Sequence, residues 1–387
     1  MEAGMLNFIR KLSKNKKNSV IEQTNIVCFN PDYLFRDLVS KFVEAGCVFS
    51  DIPKPGFSSY IWMRPQEIWH LEYLTQNKLH EEIPISYRRE FQKNKISSEE
   101  LRRIKSVSVA IHHGTCFEPL YQFCYKNLAI SLRDVKAVVG VCPFHECYGP
   151  SADLADPRNF IFKPIGFNAQ LFNQDKVIKN SLPELVIGFV GRNYGMPIER
   201  LTSSKIDQPL GYRKGEDILL NILLRLKAKG VKFRLSLVGC NWCRLVDNLK
   251  KYNISYDYHD RNNGVSYEKD YPTLYSNFDC LLITARCEGG PVTALEALAL
   301  GIPIVGTNVG ILPFLNKLLA NSDYCQLFSY NTKWDVVDYE NAVNQLSLLS
   351  INKGNRPVAE RLKIREKVLP FTTESWVQFI LKLANRS

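Results

Sequence analysis

The chain has 387 residues, enough for two ordinary domains, of which 45% are apolar and 23% charged. That composition excludes a disordered tail, a collagen-like repeat and a small disulfide-stapled scaffold. Fifty Lys and Arg against 39 Asp and Glu give a formal charge of +11, which suits phosphates, nucleic acid or an anionic membrane surface without choosing among them.

The first twenty residues lack the apolar core of a signal peptide, and their charges follow the apolar residues instead of preceding them. Arg10, Lys11, Lys14, Lys16 and Lys17 stand behind Met5, Leu6, Phe8 and Ile9. Residues 5–17 are therefore expected to lie on an anionic membrane surface as a short basic amphipathic segment, or else to form a solvated tail. No stretch offers the roughly 18 uninterrupted apolar residues of a membrane-crossing helix. The most apolar one, residues 295–315, is broken by Glu296, Pro303, Asn308 and Pro313. Eleven cysteines without framework spacing read as reduced thiols of a cytoplasmic protein, which the basic segment would place peripherally on the inner face of the membrane. Cys240-Asn-Trp-Cys243 and the group Cys142, His145, Cys147 lack the paired four-ligand spacing of structural zinc, so no metal is expected.

From Thr24 the chain alternates short β-branched runs with helical patterns. A strand over residues 25–29 precedes a helix over 33–45, with Leu34, Leu38 and Phe42 at helical spacing. Residues 106–111 read as a strand that ends at His112-His113-Gly114-Thr115, and residues 136–141 as another. The alternation then restarts with a strand at 185–190, a helix at 217–229 and strands at 233–238, 278–284 and 302–305. This is the βαβ order of two doubly wound α/β domains in tandem. The expected segments are a basic segment 1–20, a first domain 21–172, a polar linker 173–183, a second domain 184–368 and a terminal helix within 369–387. Paired domains of this kind bind ligands in the cleft near the carboxyl ends of their strands.

Residues 278–310, FDCLLITARCEGGPVTALEALALGIPIVGTNVG, carry the chemistry. A buried strand ends near Thr284 and a loop brings out Glu288. Gly289 and Gly290 let backbone approach a ligand, and Pro291 suits the first turn of a helix over 292–300. The free amides and dipole of that helix make an anion site. Glu296 lies eight positions after Glu288, within the apolar run TALEALALG. A carboxylate there needs hydrogen-bond donors, a need that sugar or ribose hydroxyls meet.

This run resembles the signature of family 4 glycosyltransferases of the GT-B fold, in which EG-x-P-x4-EA-x-A-x-G-x-P spans two glutamates. Glu288-Gly289-Gly290-Pro291, Glu296-Ala297, Ala299, Gly301 and Pro303 match it in place. The resemblance implies two Rossmann-like domains facing across a cleft, with a C-terminal helix crossing back to the first. It implies that Glu288 contacts a donor sugar, that Glu296 contacts the ribose of a nucleotide, and that Gly289 to Val292 hold sugar and diphosphate by their backbone. Gly191-Arg192 and Lys214-Gly215 resemble the pairs that clamp the diphosphate; twenty-one residues separate Arg192 from Lys214, and Arg213 is a substitute for Lys214. Residues 162–172 resemble the segment leaving the first domain, and the end of the chain, with Trp376, the terminal helix. The base contacts fall after Val238-Gly239 and near Tyr256 to Asp260. His112 and His113 end a strand where the family carries a histidine near the anomeric carbon; which of them faces the cleft is open. The loop Phe29-Asn30-Pro31-Asp32 lacks the family's glycines.

The resemblance implies transfer of a sugar from a nucleotide sugar to a glycan or lipid-linked acceptor hydroxyl, with retention at the anomeric carbon. It fits bacterial cell-surface polysaccharide or glycolipid synthesis. No cofactor and no obligatory metal are expected, the chain having no Asp-x-Asp triplet. The other readings are a GT-B epimerase or phosphorylase, a catalytically silent scaffold, and a nucleic-acid binder. The last lacks a basic stripe interleaved with aromatics, so no nucleic acid is expected.

Overall fold

The computed structural model of the chain describes residues 24–29, 33–78, 80, 83–113, 122–173, 182–193, 213–320, 323–331, 336–353 and 357–386. Residues 5–17, Asn30 to Asp32, Gly114, Thr115 and most of the expected linker lie outside them. The chain divides into two compact units, Met1–Ile165 with Thr373–Ser387, and Gly166–Thr372.

Among its described residues the first unit holds six strands: β1 (Thr24–Val27), β2 (Val48–Ser50), β3 (Ser59–Trp62), β4 (Ser108–His112), β5 (Ala137–Gly140) and β6 (Phe160–Phe162). They pair in the order β2-β1-β3-β4-β5-β6, every pair parallel. Helices α1 (Tyr33–Glu44), α2 (Gln66–Thr75), α3 (Ile85–Asn94), α4 (Ser98–Ser106), α5 (Gln122–Ser131) and α6 (Phe144–Tyr148) lie between them in sequence. The inner strands β1, β3, β4 and β5 are buried throughout, as strands covered on both faces must be. Strand order reverses between β1 and β3, and Val27 pairs with Trp62 there. Both strands therefore deliver their carboxyl ends to one place.

The second unit repeats the plan with β7 (Leu185–Arg192), β8 (Phe233–Cys240), β9 (Tyr256–Asp260), β10 (Cys280–Ile283), β11 (Ile304–Thr307) and β12 (Cys325–Phe328). All are parallel, in the order β12-β11-β10-β7-β8-β9. This is the dinucleotide-fold order, and it reverses between β7 and β10. Its helices are α7 (Glu216–Ala228), α8 (Cys243–Lys251), α9 (Tyr271–Ser276), α10 (Val292–Ala299), α11 (Leu312–Leu318), α12 (Tyr339–Ile351) and α13 (Val358–Val368). On α7, Ile218, Leu219, Ile222, Leu223 and Leu226 form one stripe and are fully buried against the sheet. Each contributes about 1.5–3 kcal/mol of transfer free energy. The last helix, α14 (Thr373–Ala384), belongs to the first unit. Its Trp376 packs on Phe42 of α1 with ring centroids 6.0 Å apart. Lys136 Nζ donates to the Ala384 carbonyl at 3.1 Å.

Two local expectations change. Ser106, expected to begin a strand, is the last residue of α4, and Val107 caps that helix. The helix therefore carries Lys105, whose ammonium pairs with Glu72 of α2 and with Asp134. Pro291 is the N-cap of α10 (φ −63°, ψ 101°), one position before the first helical residue.

Candidate functional site

The reversal between β7 and β10 puts two strand ends side by side in the second unit, and the residues of interest follow them. Gly191 and Arg192 close β7, with Arg192 exposed. A Cβ on Gly191 would stand 3.6 Å from the Lys214 side chain, which runs across that backbone. Beyond β10, Thr284 donates to the carbonyls of Lys214 (2.9 Å) and Gly215 (3.0 Å). Arg286 N donates to the Arg213 carbonyl at 2.9 Å. Gly215 caps α7 in the left-handed region (φ 65°), and a Cβ there would sit 1.9 Å from the Thr284 carbonyl oxygen. Only glycine fits both demands.

This stitching brings the Lys214 ammonium onto the Glu288 carboxylate as an ion pair. Glu288 is 9% exposed. Burial alone would raise its carboxyl, but Lys214 and Arg213 together hold it below the usual range. The Arg213 guanidinium also reaches the Cys287 carbonyl at 3.5 Å. The substitute cation and Lys214 thus serve one loop. Gly289 follows, its carbonyl accepting from Ile311 N at 3.1 Å. Then come Gly290, Pro291 and the start of α10 at Val292. No side chain caps α10, so its first amides face the same loop with the positive end of the helix dipole.

Glu296 is 2% exposed in α10. Its two oxygens accept from the hydroxyls of Tyr267 (2.5 Å) and Tyr275 (2.7 Å). Burial pushes its carboxyl up to about 7, and the two phenols act in the opposite direction. The donors that this carboxylate was expected to need are supplied within the protein.

On the other side of β7, Gly239 (φ 140°) lies so close to the Gly191 carbonyl that a Cβ would collide with it. Trp242 Nε1 donates to that same carbonyl at 2.9 Å. Cys240 ends β8 and Cys243 begins α8, so the CxxC is a strand-to-helix turn with free thiols. Cys142 and Cys147 form no disulfide and are buried with their sulfurs in hydrogen-bond contact, 3.3 Å apart. Among the described residues no three His, Cys, Asp or Glu side chains gather as a metal site.

In the first unit, His112 ends β4 with its ring against Tyr148 (4.8 Å, edge-on) and is 2% exposed. His113 is half-buried, with Nε2 2.9 Å from the Met63 carbonyl. A carbonyl only accepts, so Nε2 carries the proton. Burial, chiefly, lowers the His113 ring to about 4, and it is neutral at pH 7.

The strand reversal in this unit exposes a group that the sequence reading missed. Phe29 leaves β1 with its N–H donating to Glu67 Oε1 (2.9 Å) and its carbonyl accepting from Arg64 (3.3 Å). Glu67 is 3% exposed, burial pushes it up to about 8, and its Oε2 is buried without a hydrogen-bond partner. The only sequence signal was the charged pair in Met63-Arg64-Pro65-Gln66-Glu67, behind a strand too short to recognise.

Residues 208–333 match the family model described as Glycosyl transferases group 1. They include Lys214, Glu288 and Glu296 but not Gly191 or Arg192. An uncharacterized 41.2 kDa protein in the cps region of Klebsiella pneumoniae is 29% identical over 102 residues. That alignment covers 26% of this chain and 26% of that protein, so the match spans about a quarter of the curated relative. Among solved structures, the chain is similar to a sucrose-phosphate synthase from Thermosynechococcus elongatus (TM-score 0.61, 14% identity, 93% of this chain and 97% of that one). It is also similar to Anabaena HepE in complex with UDP (0.57, 13%, 98% and 94%), and to a glycosyltransferase from Rickettsia africae (0.55, 13%, 99% and 93%). At these identities the likeness shows the fold, which is GT-B. Among the described residues no helix is long and apolar enough to cross a membrane.

Proposed function

We propose that the chain is a group 1 glycosyltransferase that moves a sugar from a nucleotide sugar to an acceptor hydroxyl, with retention of anomeric configuration. The observation that carries the reading is the strand reversal of the second unit. It gathers the Lys214–Glu288 pair, Gly191, the open amides of α10 and the buried Glu296 around two strand ends. Cations and helix amides suit a diphosphate, and two ordered carboxylates suit sugar and ribose hydroxyls.

In this reading Lys214, Arg192 and the α10 amides take up charge on the leaving diphosphate as the anomeric C–O bond breaks. Each such donor is worth about 3 kcal/mol of barrier. The acceptor oxygen bonds to the anomeric carbon on the face the diphosphate leaves, and its proton passes to a departing phosphate oxygen. Glu288 orients the sugar and forms no covalent bond. No divalent ion is needed where the fixed cations supply that charge. In the first unit, His113 is neutral and fixed as its Nε2–H tautomer by Met63, and His112 packs edge-on against Tyr148. The HepE structures hold UDP, and one of them UDP-glucose; a uridine donor is therefore the first to try here. We take the acceptor to be a glycan or a lipid-linked glycan of surface polysaccharide synthesis, a reading to which the relative's place in a cps region lends support.

A thermal-shift screen over nucleotide sugars tests the site, with Glu296→Ala as the partner measurement. A donor should stabilise the wild type and not the variant; no stabilising donor, or an equal response, refutes the assignment. Residues 5–17 lie outside the described residues, and their membrane role is tested by vesicle co-sedimentation. The full chain should bind vesicles rich in anionic lipid better than a chain starting at Ser19, and equal binding would sink that part.

A further inference from the structure

Glu296 keeps unusual company for a residue inside an apolar helix. Tyr275 reaches it from α9 and is fully buried. Tyr267 reaches it from the loop before α9 and is half-buried. Both rings are held in an aromatic cluster. Tyr267 lies 5.9 Å from Phe172 and 5.2 Å from Tyr271. Tyr275 lies 5.3 Å from Phe172 and 5.1 Å from Phe278. The hydroxyls therefore approach the carboxylate from directions fixed by packing, one to each oxygen.

Each phenol can satisfy one lone pair, while a carboxylate offers about four. We propose that Tyr267 and Tyr275 are positioning residues for nucleotide binding. They lock the Glu296 carboxylate into one rotamer and leave its remaining lone pairs to vicinal hydroxyls of the ligand. This rests on the nucleotide-sugar reading of the site and adds to it residues that lie outside the glutamate signature.

The same two bonds decide how much charge the carboxylate carries. Burial has brought Glu296 to about 7, and the phenols are what keep it from rising further. The titratable or charged groups facing it are few. Tyr267, Tyr271 and Tyr275 come from the α9 side. From α13, Arg365 donates to the Phe172 and Ala299 carbonyls (2.8 and 3.1 Å) and Arg361 lies over Gly301. Removing one hydroxyl should therefore raise the protonation midpoint and weaken nucleotide binding most at low pH, with the loss fading as pH rises past the variant's midpoint. A midpoint moved from about pH 7 to about pH 8 predicts roughly fivefold weaker binding at pH 7 and nearly equal binding at pH 9.

The test has two readouts on the full chain. Chemical denaturation from pH 5.5 to 8.5 compares Tyr267→Phe in the wild-type and Glu296→Gln backgrounds. The destabilisation by Tyr267→Phe should grow with pH in the first and stay constant in the second. Calorimetric titration with UDP and GDP should show the affinity loss shrinking as pH rises, while Tyr271→Phe binds like wild type. A destabilisation with the same pH course in both backgrounds overturns the positioning role. An affinity loss that is constant with pH does so too. Wild-type protein that binds neither nucleotide, with the stability coupling intact, overturns the nucleotide reading and not the tyrosine–glutamate link.

Discussion

Replacing Lys214 with alanine separates the stability and the chemistry of the proposed site. The ammonium is paired with a carboxylate only 9% exposed, and its own side chain is 18% exposed. Removing one partner of a buried pair costs about 3–5 kcal/mol, because the other charge is left without compensation. Arg213 still acts on Glu288, so we expect the low end, about 3 kcal/mol. In Lys214→Ala combined with Glu288→Gln neither charge remains, and most of that loss should return. Activity should behave differently. Without the cation, the leaving phosphate loses about 3 kcal/mol of stabilisation, a fall of about 10² in kcat/KM, and the double variant should not regain it. Urea denaturation followed through tryptophan fluorescence measures the first quantity. Release of nucleoside diphosphate from the donor that stabilises the wild type measures the second. A Lys214→Ala protein within threefold of wild-type kcat/KM would refute the phosphate role, and one as stable as wild type would refute the pair.

Glu67 predicts a pH dependence of opposite origin to that of Glu288. Its folded value of about 8 lies above the ordinary 4.5, so its stabilising contribution is complete below about pH 4.5 and fades as pH rises to about 8. Glu67→Gln should therefore gain on wild type between pH 5 and 9 in denaturation curves, and parallel curves would refute the buried acid. Gly215 and Gly230 are both left-handed, but a Cβ at Gly230 meets nothing within 4 Å. Gly215→Ala should cost about 3 kcal/mol or more, against about 1 kcal/mol for Gly230→Ala; equal costs would show that the Thr284 carbonyl does not crowd the site.

The sequence reading succeeded where a pattern is local. β7, β8 and α7 are runs whose burial leaves a continuous apolar signature, and the Glu288 to Glu296 spacing lies within one loop and helix. It passed over β2, β6, β9 and β12 because these are edge strands. Tyr256–Asp260, for example, is YDYHD, half-exposed and polar. β3 is central but only four residues long. The contacts of the site were the least legible. Phe29 meets Glu67 because β1 pairs with β3, and Tyr267 meets Glu296 because a loop returns beneath α10. Neither follows from spacing, since strand order in the first case and the path of a loop in the second makes them neighbours. The two histidines show the same limit: Met63, fifty positions earlier, distinguishes them.

The hydrogen bonds from Thr284 to the carbonyls of Lys214 and Gly215 also separate chain length from geometry. In sequence, twenty-one residues separate Lys214 from Arg192. In space it is fastened to the loop after β10, together with Arg213. The place of the ammonium beside Glu288 therefore rests on hydrogen bonds between the start of α7 and the loop after β10, and not on the number of residues that follow β7.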